Sequence, residues 1–209
     1  WQNHQYFYTN TLLLELGFSN FITTRKAGDM KKNQLKNIAL GEQTHSDNFF
    51  EITANYDGRI IKNNDGFFTN QKDKWLGVWT ADCMPIFVVC QKPKIAGLLH
   101  SGRKGVELDI TGKYVKYLLQ NFPIKITDIF VVVGPHISSE YYEINLQNQL
   151  ELKLLKLGFP PKNLIKTDLC TFKNNDEFFS YRKNNRTDER MLSGIKINLK
   201  IGDSEWTTK

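Results

Sequence analysis

Two stretches govern what this chain can become. Residues 84–90 read Met-Pro-Ile-Phe-Val-Val-Cys and residues 95–99 read Ile-Ala-Gly-Leu-Leu, with no charged side chain in either. A strand with one face in water alternates apolar and polar residues, whereas an unbroken run rich in β-branched and aromatic residues suits a strand covered on both faces. Residues 129–133 repeat the signature and stop at Gly134-Pro135. These are core strands. None of the runs approaches the ~20 apolar residues a membrane-spanning helix needs, so no membrane is expected as a partner.

The segments around them are punctuated β: 58–61, 65–69 and 75–79 are each bounded by turn residues, and 18–24 reads as a further strand before a turn at Ala27-Gly28-Asp29. Between 107 and 121, Leu108, Val115, Leu118 and Leu119 fall at helical spacing, and Pro123 closes the stretch. Asn145 is placed to cap a second helix that runs through Leu150, Leu154 and Leu157 to Gly158, with Pro160-Pro161 beyond. Strands, helix, strand, helix and a loop-rich end make an α+β chain, and 209 residues suit one domain over 1–209.

A net charge of +6, from 28 Lys and Arg against 22 Asp and Glu, raises nucleic acid as a partner, but the distribution argues against it. The cations occur singly or in pairs such as Lys31-Lys32 and Arg103-Lys104, and no run of five or six like charges exists. Three Cys without regular spacing do not make a disulfide framework, which fits a reducing cytoplasm, and no secretory apolar region follows Trp1. Each thiol is thereby free for other chemistry.

Three residues sit at strand ends or in turns where a scaffold can hold a group rigidly yet expose it: His45, Cys83 and His100. A thiolate and two imidazoles suit zinc, and three protein ligands leave a fourth tetrahedral position open. A single Cys also serves as a small buried hydrophobe and a single His as a bonded polar residue. The spacings of 38 and 17 match no short metal signature. Cys83 can alternatively act as a nucleophile with His45 or His100 as its base. Asp82, directly before Cys83, is placed to hold the loop or to orient an imidazole. Cys90 reads as core, and His4 and His136 read as surface residues. Arg25, Arg103-Lys104 and Arg182 each follow a small or hydroxylated residue in a turn, which suits an anionic substrate if they converge.

Taken in order, Thr23-Thr24-Arg25, Gln43-Thr44-His45, Thr80-Ala81-Asp82-Cys83-Met84-Pro85-Ile86, His100-Ser101-Gly102 with Gly105, Gly134-Pro135-His136-Ile137 with Tyr142-Glu143, and Asp168-Leu169-Cys170-Thr171 with Phe178-Phe179-Ser180-Tyr181-Arg182 resemble the YfiH-type laccase-domain family. That resemblance implies two packed mixed β-sheets flanked by helices in α-β-β-α layers. It implies a zinc or copper site on His45, Cys83 and His100. For chemistry at such a site, Asp82, Arg25 and Arg182 are expected in the catalytic machinery and Arg25, Gln43, Lys104 and Arg182 on the substrate. The activities it implies are phosphorolysis of adenosine, inosine and methylthioadenosine, adenosine deamination, copper-dependent phenol oxidation, and editing of peptidoglycan precursors, with a nucleoside and phosphate as small-molecule partners.

The chain departs from the family where His-Ala-Gly-Trp-Arg-Gly becomes His100-Ser101-Gly102-Arg103-Lys104-Gly105. Lys keeps the charge but loses the bidentate fork, and the missing indole removes a stacking surface. Four His cannot furnish the about ten imidazoles of a four-copper oxidase. The His-x-Glu and Pro-Cys-x-x-Cys signature of cytidine-deaminase-type sites is absent. Phosphorolysis leads among the activities the resemblance implies. A copper-dependent polyphenol oxidoreductase with a single copper, a Cys-His hydrolase, and a non-catalytic zinc-binding module with Cys170 as its candidate fourth ligand stand as alternatives.

Overall fold

The computed structural model describes residues 1–32 and 37–198. Among these residues twelve strands form two mixed six-stranded sheets. The first holds β1 (Gln2–Asn3), β2 (Phe7–Thr9), β3 (Phe18–Thr23), β4 (Ile38–Ala39), β7 (Trp75–Thr80) and β12 (Met191–Ile197), in the order β1-β2-β3-β12-β7-β4. The second holds β5 (Phe50–Glu51), β6 (Gly66–Thr69), β8 (Met84–Gln91), β9 (Lys94–Ser101), β10 (Ile129–Val133) and β11 (Leu164–Ile165), in the order β11-β10-β8-β9-β6-β5. Among the described strands, the β4–β7, β5–β6 and β10–β11 pairs are parallel and the others antiparallel.

The apolar run of β8 is buried on both faces, as its composition requires. Met84, Ile86, Val88 and Cys90 turn toward a cluster with Val115 and Leu118 of α3 (Ile110–Asn121) and Leu150 and Leu154 of α4 (Leu146–Lys156). The alternate residues Phe87 and Val89 enter a second cluster between the sheets, with Phe18, Ile22, Leu76, Met191 and Ile195. Side chains alternate across a strand, so an uninterrupted apolar run is what two cores demand. α2 (Arg103–Leu108) also lies against β9 and α4, while the short α1 (Thr11–Glu15) packs on β3 and sends Leu13 into the inter-sheet core. Asn145 does cap α4, accepting from the Asn148 N–H. No described helix is long and apolar enough to cross a membrane.

Two local expectations change. The stretch at 58–61 forms no strand beyond one bridge from Ile61 to Gly41. Ile60 there stays 64% exposed, so no covering layer rewards an extended pairing. The helix expected over 107–121 is two helices, because Asp109 takes a left-handed conformation (φ 62°) and its carboxylate accepts from the Gly112 N–H, ending one helix and capping the next.

Candidate metal centre

The central hairpin of β8 and β9 carries two of the three candidate donors. Register pairs Met84 with Ser101 and Pro85 with His100. Cys83, in the turn entering β8, and His100, near the end of β9, therefore emerge side by side. His100 is buried and Cys83 partly exposed. The third donor arrives from a loop. His45 is exposed and adopts a left-handed backbone (φ 60°), uncommon for a residue with a Cβ.

One carboxylate explains that conformation. Asp65, fully buried before β6, accepts from the N–H groups of Thr44 (3.1 Å), His45 (3.0 Å) and Ser46 (2.7 Å) and from the Ser46 hydroxyl (2.7 Å). It also accepts from His100 Nδ1 at 2.8 Å, and its own carbonyl accepts from the His100 N–H. Burial pushes the Asp65 carboxyl up, but the His100 and Ser46 bonds outweigh it and hold it down to about 2. A single ionised side chain thus shapes the His45 loop and orients the His100 ring with Nε2 toward Cys83.

The donor atoms of His45, Cys83 and His100 lie within 4.8 Å of one another. Cys83 Sγ is 3.8 Å from His45 Nε2, and the two imidazoles meet edge-on with centroids 4.9 Å apart. Burial raises the Cys83 thiol, but the neighbouring His100 and His45 rings more than reverse this, to about 6. On His100 burial opposes charge, while Cys83 and Asp65 raise it to about 9. Gly102 leaves room for the sulfur: a Cβ there would stand 2.5 Å from Cys83 Sγ. Two imidazoles and a thiolate at this separation fit a divalent zinc or copper ion, and their open side is the cleft.

That cleft, about 1580 Å³, is walled by Trp79, Tyr142 and Tyr181 and lined by Lys31, Lys62, Arg103, Arg182, Arg186 and Arg190 against Glu42 and Asp82. The sequence-expected residues distribute unequally around it. Gln43 lines it, with its amide donating to the Trp79 carbonyl (2.8 Å) and accepting from the Trp79 N–H (2.7 Å), which braces the Trp79 backbone. Asp82 touches neither imidazole. Its buried carboxylate accepts from Thr171 Oγ1 (2.7 Å) and from the Arg182 N–H (2.8 Å), and its carbonyl accepts from the Ile137 N–H, so it ties three loops to the Cys83 turn.

Arg182 faces the cleft, stacked over Tyr142 at 4.7 Å. Arg25 does not line it: its guanidinium donates to the Asn175 carbonyl and Asn184 Oδ1 and covers the Phe179 ring. Lys104 is exposed on α2 and does not line it either, whereas its neighbour Arg103 does. Cys90 is core. Cys170 is buried outside the donor group, its sulfur accepting from the Ser138 N–H. His136, expected at the surface, is only 5% exposed, with Nδ1 3.0 Å from the Gly134 carbonyl, because its loop folds under the Cys170 segment. His4 lies near Thr9, away from the cleft.

Sequence reasoning missed Asp65, placing it only as the first residue of the strand segment 65–69. The available signal was a carboxylate beside the buried run Phe67-Phe68, a position where an acid persists only when its oxygens are satisfied.

Fold and site together define the class: a two-sheet α+β protein in which the central hairpin and one loop bring a His-Cys-His donor set to a basic cleft. The family model described as multi-copper polyphenol oxidoreductase laccase matches residues 22–149 and 142–198, and the chain belongs to that family. It is 26% identical over 203 residues to purine nucleoside phosphorylase YlmD of Bacillus subtilis, covering 80% of this chain and 73% of that protein. To purine nucleoside phosphorylase SERP0752 of Staphylococcus epidermidis it is 29% identical over 189 residues, covering 73% and 70%. Among solved structures, YlmD from Geobacillus stearothermophilus superposes with a TM-score of 0.84 at 20% identity, covering 95% of this chain and 98% of the other. The hypothetical protein YfiH of Bacillus licheniformis gives 0.79 at 20% identity, covering 87% and 93%. The donors do not fit the multi-copper part of the family's description. Of the four histidines, His4 and His136 lie outside the donor group, leaving two imidazoles and one thiolate together.

Proposed function

We propose that the protein is a zinc-dependent purine nucleoside phosphorylase, acting on adenosine, inosine or methylthioadenosine with phosphate to release the free base and ribose 1-phosphate. The observation that carries this reading is the convergence of His45, Cys83 and His100 on the floor of a cleft with aromatic walls and a cationic rim. The names of the relatives support the substrate class.

In the reaction a phosphate oxygen bonds to C1′ as the bond from C1′ to the purine nitrogen breaks, and the electron pair leaves with the base, which takes up a proton. Zinc held by the three donors would supply a Lewis acid at the cleft-facing position. The chain does the rest. Asp65 holds His100 through Nδ1, which aims Nε2 at the donor group, where a metal would take the place of the Nε2 proton, and the lowered thiol of Cys83 offers a thiolate. Trp79, Tyr142 and Tyr181 present flat surfaces for a purine. Arg182 supplies positive charge to phosphate, and Asp82 holds its backbone. Arg25 acts from outside the cleft by bracing Asn184, whose Oδ1 accepts from the Ser180 N–H in the segment leading to Arg182. Adenosine deamination on the same floor is a second activity of this reading.

The test combines metal analysis of the purified protein with incubation of adenosine, inosine and methylthioadenosine with and without phosphate. Zinc near one per chain and phosphate-dependent ribose 1-phosphate are expected, and ammonia reports deamination. Base release that ignores both phosphate and metal removal overturns the reading. The 3.8 Å approach of Cys83 Sγ to His45 Nε2 favours one second reading, a Cys-His hydrolase. That enzyme would work metal-free and be silenced by alkylation of Cys83.

A further inference from the structure

The cationic rim is not uniform. Arg103 and Arg182 come from different segments, α2 and the loop after Ser180, yet both reach Glu143: Arg182 donates through Nη2 to Oε2 at 3.1 Å, and Arg103 Nη1 lies 3.8 Å from Oε1. Each guanidinium is held a second time, Arg103 by Glu107 through Nε at 2.8 Å and Arg182 by the Tyr142 ring. Both arginines line the cleft, whereas Glu143 is not among its lining residues.

Their backbones also start beside the donor set. Arg103 follows Gly102, the residue that lies against Cys83 Sγ, and the Arg182 N–H is held by Asp82, the residue before Cys83. An Arg pair whose orientation is set from outside leaves its remaining N–H groups for a planar or tetrahedral oxyanion in the cleft. These side chains are 47% to 54% exposed, where ion pairs add little stability, so the arrangement is poorly explained as a fold-holding device.

We infer that Arg103 and Arg182 form the anion subsite that receives inorganic phosphate, and that Glu143 is the positioning residue that aims both. This rests on the phosphorolysis reading for its choice of phosphate as co-substrate. It moves the substrate contact expected of Lys104 to its neighbour Arg103. Arg103 becomes a specificity residue of this chain, and its fork replaces the one Lys104 lacks.

Calorimetric titration of the metal-loaded protein with inorganic phosphate, and separately with adenosine 5′-monophosphate, tests binding without turnover. Arg103→Ala is expected to weaken inorganic phosphate by about tenfold and Arg103→Lys by less, since charge returns without the fork. In the phosphorolysis assay the same loss appears in KM for phosphate, with KM for nucleoside within about twofold. Glu143→Ala is expected to raise KM for phosphate several-fold at nearly unchanged kcat, with partial rescue by Glu143→Gln. Inorganic phosphate binding that ignores Arg103→Ala overturns the subsite. Arg103-dependent binding of the monophosphate alone overturns inorganic phosphate as its ligand. If phosphate binds through Arg103 and no phosphorolysis is found, the subsite stands and the proposed function falls.

Discussion

Cys83, in the turn that enters β8, and His100, on β9, are held by one hairpin with a core on either face, whereas His45 rides a loop bent into a left-handed conformation. The first pair needs nothing beyond the sheet to stay adjacent. The loop needs Asp65, because a histidine at positive φ costs on the order of 1 kcal/mol and this segment has three N–H groups to satisfy. The site is therefore half rigid by register and half rigid by one buried carboxylate. That carboxylate also grips His100, so the two halves are tied at a single residue.

The strongest break in this comparison comes from the hairpin. Cys83→Ala or His100→Ala removes a donor that no described neighbour replaces. Metal content is expected to fall near zero and phosphorolysis by on the order of 1,000-fold, measured by elemental analysis and initial rates. Retained activity in a metal-free variant would sink the metal-centre reading.

Asp65→Asn comes next and asks whether one residue truly serves both halves. The amide keeps the shape but presents donors to N–H groups, so metal affinity should drop by about 10- to 100-fold in a competition titration with a chromophoric chelator. A drop no larger than that of an exposed substitution would show that the loop holds itself.

Gly102→Ala probes the hairpin half by sterics alone, since its Cβ would meet Cys83 Sγ at 2.5 Å. A cost of about 1–3 kcal/mol is expected, read as a lowered Tm together with weaker metal binding. Unchanged values for both would mean that the sulfur has room to move.

The smallest effect lies in the wall behind Cys83. His136 is buried and its neighbour Ile137 donates to the Asp82 carbonyl. Burial pushes the His136 imidazole below its ordinary 6.5, the Gly134 bond only partly offsetting this. Folded His136 resists a proton that the unfolded chain accepts, so its contribution is whole above about pH 6.5 and is lost as pH falls toward the folded value. His136→Asn should flatten the decline of Tm between about pH 6.5 and 5 by a few degrees. An identical slope in wild type and variant would remove His136 from the account.

Much of the hairpin half was legible. An apolar run such as that of β8 has one stable outcome, a strand between two layers, so the core and the neighbourhood of Cys83 and His100 follow from local composition. His45 was named beside them from its turn, but the spacing matched no metal signature, and it was the resemblance that joined the three into one site. The loop half was not legible, because Asp65 acts through bonds to residues 19 to 35 positions away, and an aspartate opening a strand segment carries no local sign of those partners. The rim was legible as charge but not as placement. Arg25 and Lys104 carry the same sign as Arg103 and Arg182, and nothing in one dimension tells which of them faces the cleft.

The sequence by itself determined that this chain builds an α+β core from doubly buried strands, and that His and Cys are too few for more than one small metal centre. Both follow from composition and short-range periodicity, which need no knowledge of the rest of the chain. Tertiary structure alone decided that Asp65, not Asp82, holds the imidazole, that His136 is buried, and that Arg103 rather than Lys104 reaches the cleft. Each depends on which distant segments meet, and a side chain's partner is set by that meeting, not by its neighbours in sequence.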